Sequence, residues 1–143
     1  MARYSTTVSS TLSAQEAFRF MANFENVASW DPGVTEASSK DEGDVAIGTS
    51  FTVVSKFLGL KTPLVYRVVE FEPESRIRLV AETATLRSDD EIIVSALGEG
   101  SSVTYNADLN LRGALRLADP LLGLAFRTIG DRARDGLRKA LNP

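Results

Sequence analysis

The chain has no cysteine and no histidine among its 143 residues. Without cysteine there is no disulfide, no thiolate nucleophile and no cysteine-ligated metal. Without an imidazole there is no serine-triad chemistry, no histidine general base and none of the common zinc or iron sites. Any catalysis therefore falls to Asp, Glu, Tyr, Arg, Lys or water, and neither a metal nor a cofactor is expected. No stretch approaches the ~20 apolar residues of a membrane span. No basic run exists and the net charge is −3, which argues against nucleic acid or an anionic membrane as the main partner. The opening Met1-Ala2-Arg3-Tyr4-Ser5 lacks an apolar signal core, so a cytoplasmic location is expected.

What is present is ordinary in amount, with 43% hydrophobic and 24% charged residues, and enough for one domain spanning 1–143 with its own core. The final stretch carries the clearest pattern. From Asp119 to Leu141, Leu122, Ala125, Phe126, Ile129, Ala133, Leu137 and Ala140 recur at helical spacing, with Arg127, Asp131, Arg134, Asp135 and Arg138 opposite. Asp119-Pro120 reads as N-cap and first helical residue.

Before it the chain reads as strands. Tyr4 to Ser10 alternates, and Ser13-Ala14-Gln15-Glu16 opens a first helix as a capping box, with Leu12 and Ala17 as its hydrophobic staple. A second short helix, Asn23 to Trp30, stops at Asp31-Pro32-Gly33 because a residue before proline leaves the helical region. Six strands follow: Val34–Lys40 (weak and at an edge), Ser50–Leu58, Thr62–Phe71, Arg76–Thr83, Leu86–Leu97 and Val103–Leu111. The expected architecture is α+β, a long helix laid across a curved antiparallel sheet around a cavity.

This order of elements, with Ser13 to Phe18, Phe24 to Pro32, Gly48-Thr49-Ser50-Phe51, Tyr66 to Pro73 and Leu137 to Leu141 in sequence, resembles the START-related superfamily of polyketide cyclases, dehydrases and birch-pollen-allergen-like proteins (SRPBCC). The resemblance covers essentially the whole chain and contains no catalytic signature. It implies the helix-grip fold, in which a seven-stranded antiparallel sheet is wrapped around the C-terminal helix over an apolar cavity, with two short helices after strand 1. It also implies a lipid, sterol, polyketide or isoprenoid ligand, which some members cyclise or dehydrate.

The residues expected to face such a ligand are Trp30, Phe51, Val53, Leu64, Tyr66, Val68, Leu79, Asp90, Ile92, Tyr105, Leu109, Leu122, Phe126 and Ile129. Small residues on the helix face either leave volume for a ligand or let the sheet approach closely. Tyr66 and Tyr105 either orient a carbonyl or are core tyrosines with backbone partners. If Asp89 and Glu91 face out to pair with Arg78 and Arg76, Asp90 faces in as an acid or base; the alternative is a solvated carboxylate. Arg67 should point outward, unless it meets an anionic headgroup. Phe57, Leu58, Leu60, Leu121 and Leu124 lack a core face and read as a portal, or as a homodimer contact.

The leading expectation is a carrier or sequestering protein for a hydrophobic or amphipathic small molecule. Burial of ~200 Å² of apolar ligand surface would supply about 5 kcal/mol before binding costs. An aromatase/cyclase or dehydrase working through Tyr and carboxylate groups is the alternative. A chaperone-activator-like interaction module with a filled core is the third reading. Two inward ionisable or phenolic groups converging on one point of the cavity would favour chemistry.

Overall fold

The computed structural model of the protein describes residues 2–57 and 59–143. Its strands are β1 (Ala2–Ser10), β2 (Val34–Ser38), β3 (Ser50–Phe57), β4 (Leu60–Glu72), β5 (Arg76–Glu82), β6 (Leu86–Leu97) and β7 (Gly100–Leu111); its helices are α1 (Ala14–Ala22), α2 (Val27–Trp30) and α3 (Asp119–Ala140). All seven strands form one antiparallel sheet in the order β1-β7-β6-β5-β4-β3-β2. The α+β helix-grip architecture is therefore present, with α3 packed along β1 and α2.

Alternation fixes the sheet's buried face. Ile77, Leu79 and Ala81 of β5, Ile92 and Val94 of β6, and Val103 and Tyr105 of β7 are all buried. On the opposite face Arg78 donates to Asp89 at 2.9 Å and Arg76 to Glu91 at 2.8 Å. Glu70 joins both arginines, so the middle of the convex face is a laced set of ion pairs. Arg67 points to solvent, as alternation predicts.

The helices start and stop for local reasons. Ser13 Oγ accepts the Glu16 N–H at 3.2 Å and its hydroxyl donates to Glu16 Oε1 at 3.1 Å, capping α1. The predicted second helix divides into a 3₁₀ turn, Phe24–Asn26, and the single turn α2. At the start of α3 the structure corrects the reading of Asp119 as N-cap. A 3₁₀ segment, Gly113–Ala118, runs straight into the helix, and Asp119 is already helical at φ −52°, ψ −46°. The preceding turn supplies what a cap would, because the Asp119 N–H bonds the Arg116 carbonyl.

Two glycines of α3 resolve the question of its small residues. A Cβ at Gly130 would stand 2.3 Å from the Tyr4 ring, and one at Gly136 would stand 2.0 Å from the Trp30 carbonyl oxygen. Both permit close approach rather than leaving a void. Gly123, by contrast, faces open space. Gly123→Ala should therefore stabilise the fold by up to about 1 kcal/mol through helix propensity alone, which a pair of thermal melts would register.

A seam of hydrogen bonds joins β1 to the residues after α3. Ser10 Oγ donates to the Leu141 carbonyl at 2.6 Å, Asn142 Oδ1 accepts the Thr11 N–H at 3.0 Å, and Asn142 Nδ2 donates to the Ser9 carbonyl at 2.9 Å. No helix among the described residues is long and apolar enough to cross a membrane.

Candidate functional site

Between α3 and the concave face of the sheet lies a hollow bounded by β3, β4, β6, β7 and the segment around α2. Its volume, about 100 Å³, is of single-ring size, below the ~300–1,000 Å³ of drug-sized pockets. The space is thus not filled by side chains, but it is narrower than a whole lipid or extended polyketide requires.

Of the residues singled out in the sequence, Val53, Leu64, Tyr66, Asp90, Tyr105, Leu109, Phe126 and Ile129 line this hollow. Trp30, Val68, Leu79, Ile92 and Leu122 are buried in the packing around it and do not line it. Phe51 is buried as well, and borders a different, solvent-open groove of about 750 Å³ beside α1. That groove touches none of Tyr66, Ser88, Asp90 and Tyr105. Leu60, Leu121 and Leu124 are 71%, 61% and 78% exposed. Leu58, and the side chain of Phe57, lie outside the described residues.

The polar end of the hollow is built by three neighbouring strands. On β6 the outward pairing of Asp89 and Glu91 turns Asp90 inward, where it is 4% exposed. The solvated alternative for this carboxylate does not hold. Tyr105 of β7 donates to Asp90 Oδ2 at 2.8 Å, and Ser88 donates to Asp90 Oδ1 at 3.3 Å. The Tyr66 hydroxyl lies 2.8 Å from Ser88 Oγ. With the Ser88 hydrogen committed to Asp90, Tyr66 is the donor of that bond. Both phenols thus find side-chain partners rather than the backbone partners a plain core tyrosine would take.

Packing holds these groups in place. The Trp30 indole meets the Tyr105 ring edge-on at 5.3 Å between centroids, and Phe24 meets Tyr66 likewise at 5.2 Å. Burial pushes the Asp90 carboxyl up to about 7, against the opposing pull of the Tyr105 hydrogen bond. Burial also raises both phenols well above their ordinary value, and the neighbouring Asp90 carboxylate adds to this.

Sequence reasoning missed two members. Ser88 bridges Tyr66 and Asp90, and its place two residues before Asp90 on the same strand face could have revealed it. Asp31 read only as a helix stop; it also lines the hollow, with its Oδ1 accepting the Gly33 N–H at 2.9 Å. Burial raises its carboxyl above the usual range as well.

A family model described as "Polyketide cyclase / dehydrase and lipid transport" matches residues 1–142. No curated protein matches the sequence. Among solved structures, a START superfamily protein from Mycobacterium smegmatis superposes with a TM-score of 0.78 at 14% identity, covering 99% of this chain and 97% of that one. A protein from Thermus thermophilus gives 0.76 at 15% identity, covering 98% and 95%. The Zhui aromatase/cyclase from a Streptomyces species gives 0.74 at 14% identity, covering 97% and 90%. At these identities the likenesses concern the fold.

Proposed function

We propose, from the premise that this chain belongs to the polyketide cyclase / dehydrase and lipid transport family, that it binds a small amphipathic molecule in the hollow beneath α3. The apolar part lies against Val53, Leu64, Leu109, Phe126 and Ile129, and a polar end reaches the Tyr66–Ser88–Asp90–Tyr105 chain. The single observation that carries this reading is a fully buried carboxylate, partnered only by uncharged groups, that opens onto unfilled space. A protein core with no ligand to serve gains nothing from such a group, because its desolvation is costly.

The narrow volume sets the scale of the guest. One ring, or the head of a longer molecule whose remainder lies outside along Leu121 and Leu124, fits the space. Burying ~120 Å² of apolar surface gives about 3 kcal/mol, so tight binding depends on the polar end. Leu60, Leu121 and Leu124 are proposed as the rim over which the ligand enters.

The convergence of Asp90, Tyr105 and Tyr66 also favours a second reading, acid–base chemistry on a carbonyl compound. An Asp90 carboxyl balanced near neutrality is suited to removing a proton beside a carbonyl, while a phenolic hydroxyl donates to the developing oxyanion. Aldol closure followed by loss of water needs no more than these two roles. The related aromatase/cyclase shares the fold.

Acetophenone, a one-ring ketone, tests the binding reading by amide-shift titration. Expected are saturable shifts around Asp90, Tyr105 and Ala107, reduced at least about tenfold in affinity by Ala107→Phe, which fills the hollow from β7. Shifts elsewhere on the surface, or a plugged variant that binds equally well, would refute it.

A further inference from the structure

The charged groups of this protein are paired according to which side of the sheet they occupy. On the convex face, Asp89, Glu91 and Glu70 are all matched by Arg76 or Arg78, and Glu82 is matched by Arg87 and Arg112. In the hollow, two carboxyls have no such match. Among the described residues neither Asp31 nor Asp90 forms an ion pair; the first holds a backbone N–H and the second holds two hydroxyls. Both line the same space, and each electrostatically opposes the ionisation of its neighbours there.

Among the described residues, the elements around these acids bring no buried counter-charge. From β4 comes Tyr66, from β7 Tyr105, and from α3 only Phe126 and Ile129. Lys56 of β3 also lines the hollow, as an exposed residue that forms no ion pair with either acid. Asp89, behind the strand, is negative and already paired with Arg78. The space thus combines two carboxyls that form no ion pair among the described residues with walls that include aromatic side chains.

Resting on the reading that the hollow binds a ligand, we infer that its guest carries a protonated amine on a one-ring or similarly small apolar body, and that Asp31 and Asp90 together select it. An ammonium placed between the two carboxyls supplies the counter-charge that the chain withholds. Tyr66, Tyr105 and Phe126 line the same space, and an aromatic ring that meets a cation with its face adds to the attraction. A ligand ending in a carboxylate meets like charge and is rejected.

The inference has a proton signature. Burial raises the Asp31 carboxyl above its ordinary range and pushes the Asp90 carboxyl up to about 7, so a cation that enters drives the proton off Asp90. Amine binding therefore strengthens as pH rises from about 5 to about 8, with protons released to the buffer. A neutral guest gains nothing from that rise.

Benzylamine, benzyl alcohol and benzoate carry one ring with a cationic, a neutral and an anionic head, and calorimetry on the full chain compares them. Expected at about pH 7.5 is benzylamine binding about tenfold more tightly than benzyl alcohol, with benzoate weaker than both. Asp31→Asn and Asp90→Asn should each abolish the preference for benzylamine over benzyl alcohol. Proton release on amine binding is the readout that survives if either variant fails to fold. Benzyl alcohol binding as well as benzylamine, or amine binding without proton release, would overturn the inference and leave the cavity reading standing. Failure of all three probes to enter would overturn both.

Discussion

Gly136→Ala should lower the melting temperature by about 10 °C. Elsewhere in a helix this substitution helps by about 1 kcal/mol, because alanine loses less backbone entropy. At Gly136 the added carbon would sit 2.0 Å from the Trp30 carbonyl oxygen and 3.0 Å from its carbon. Those are backbone atoms, fixed by α2, whose last turn bonds Asp31 N–H back to the Val27 carbonyl at 2.9 Å. Neither side can yield by turning a rotamer, so α3 must lift away from α2. Overpacking of this kind costs about 3 kcal/mol net, and a chain of this size loses roughly 2–4 °C per kcal/mol. The displacement also reaches the site, since Trp30 braces Tyr105 and Asp31 follows it directly. Thermal melts of Gly136→Ala and Gly123→Ala side by side give the measurement. If both variants melt above the parent, the close crossing of α2 and α3 is absent.

Asp90→Asn should change how stability responds to pH more than any other single substitution. The Asp90 carboxyl titrates near 7 in the folded protein and near about 3.9 in an unfolded chain. The folded state therefore keeps a proton that the unfolded state has lost between these values. Stability falls as pH rises from about 4 to about 7 and is level above, a loss of order 4 kcal/mol when ionisation is complete. Asparagine keeps an oxygen for the Tyr105 hydroxyl and never ionises. The variant should accordingly match the parent near pH 4 and exceed its melting temperature by about 10 °C at pH 8. Asp31 contributes with the same sign, so a residual slope will remain. Asp89 works the other way. The Arg78 hydrogen bond holds it below the ordinary carboxylate range, giving stability that is lost only in acid. A difference between parent and variant that stays constant from about pH 4 to 8 would mean that Asp90 is solvated.

Much of this site is legible in the sequence because the sheet alternates. Two acids at Asp89 and Glu91, facing two arginines at Arg78 and Arg76, fix the register of β6, and Asp90 then has only one direction to point. Tyr66 and Tyr105 follow by the same logic. What alternation cannot give is which buried residues border empty space. Leu79 and Ile92 have the same pattern as Leu64 and Leu109, yet only the second pair lines the hollow. That depends on how closely α3 approaches, which Gly130 and Gly136 decide through contacts with Tyr4 and Trp30, far away in sequence. Asp31 was hidden for another reason. Next to Pro32 its local role as a helix stop is sufficient explanation, and its role in the hollow arises only when β6 and β7 are folded beside it. Asp119 misled because a 3₁₀ turn before a helix leaves the same aspartate–proline signature as a true cap.

The pairing of β1 also has a consequence for how the protein is made. Among the described residues β1 has β7 as its one neighbour in the sheet, so this strand, made before the other six, has no partner until residues 100–111 follow. At ~5–20 residues per second that wait lasts roughly 5–20 s. Throughout it, the stretch from Tyr4 to Val8 is a bare, β-prone edge able to pair with another nascent copy. Newly made chains should therefore depend on a holding chaperone far more than finished ones, and crowding on polysomes should lower the yield.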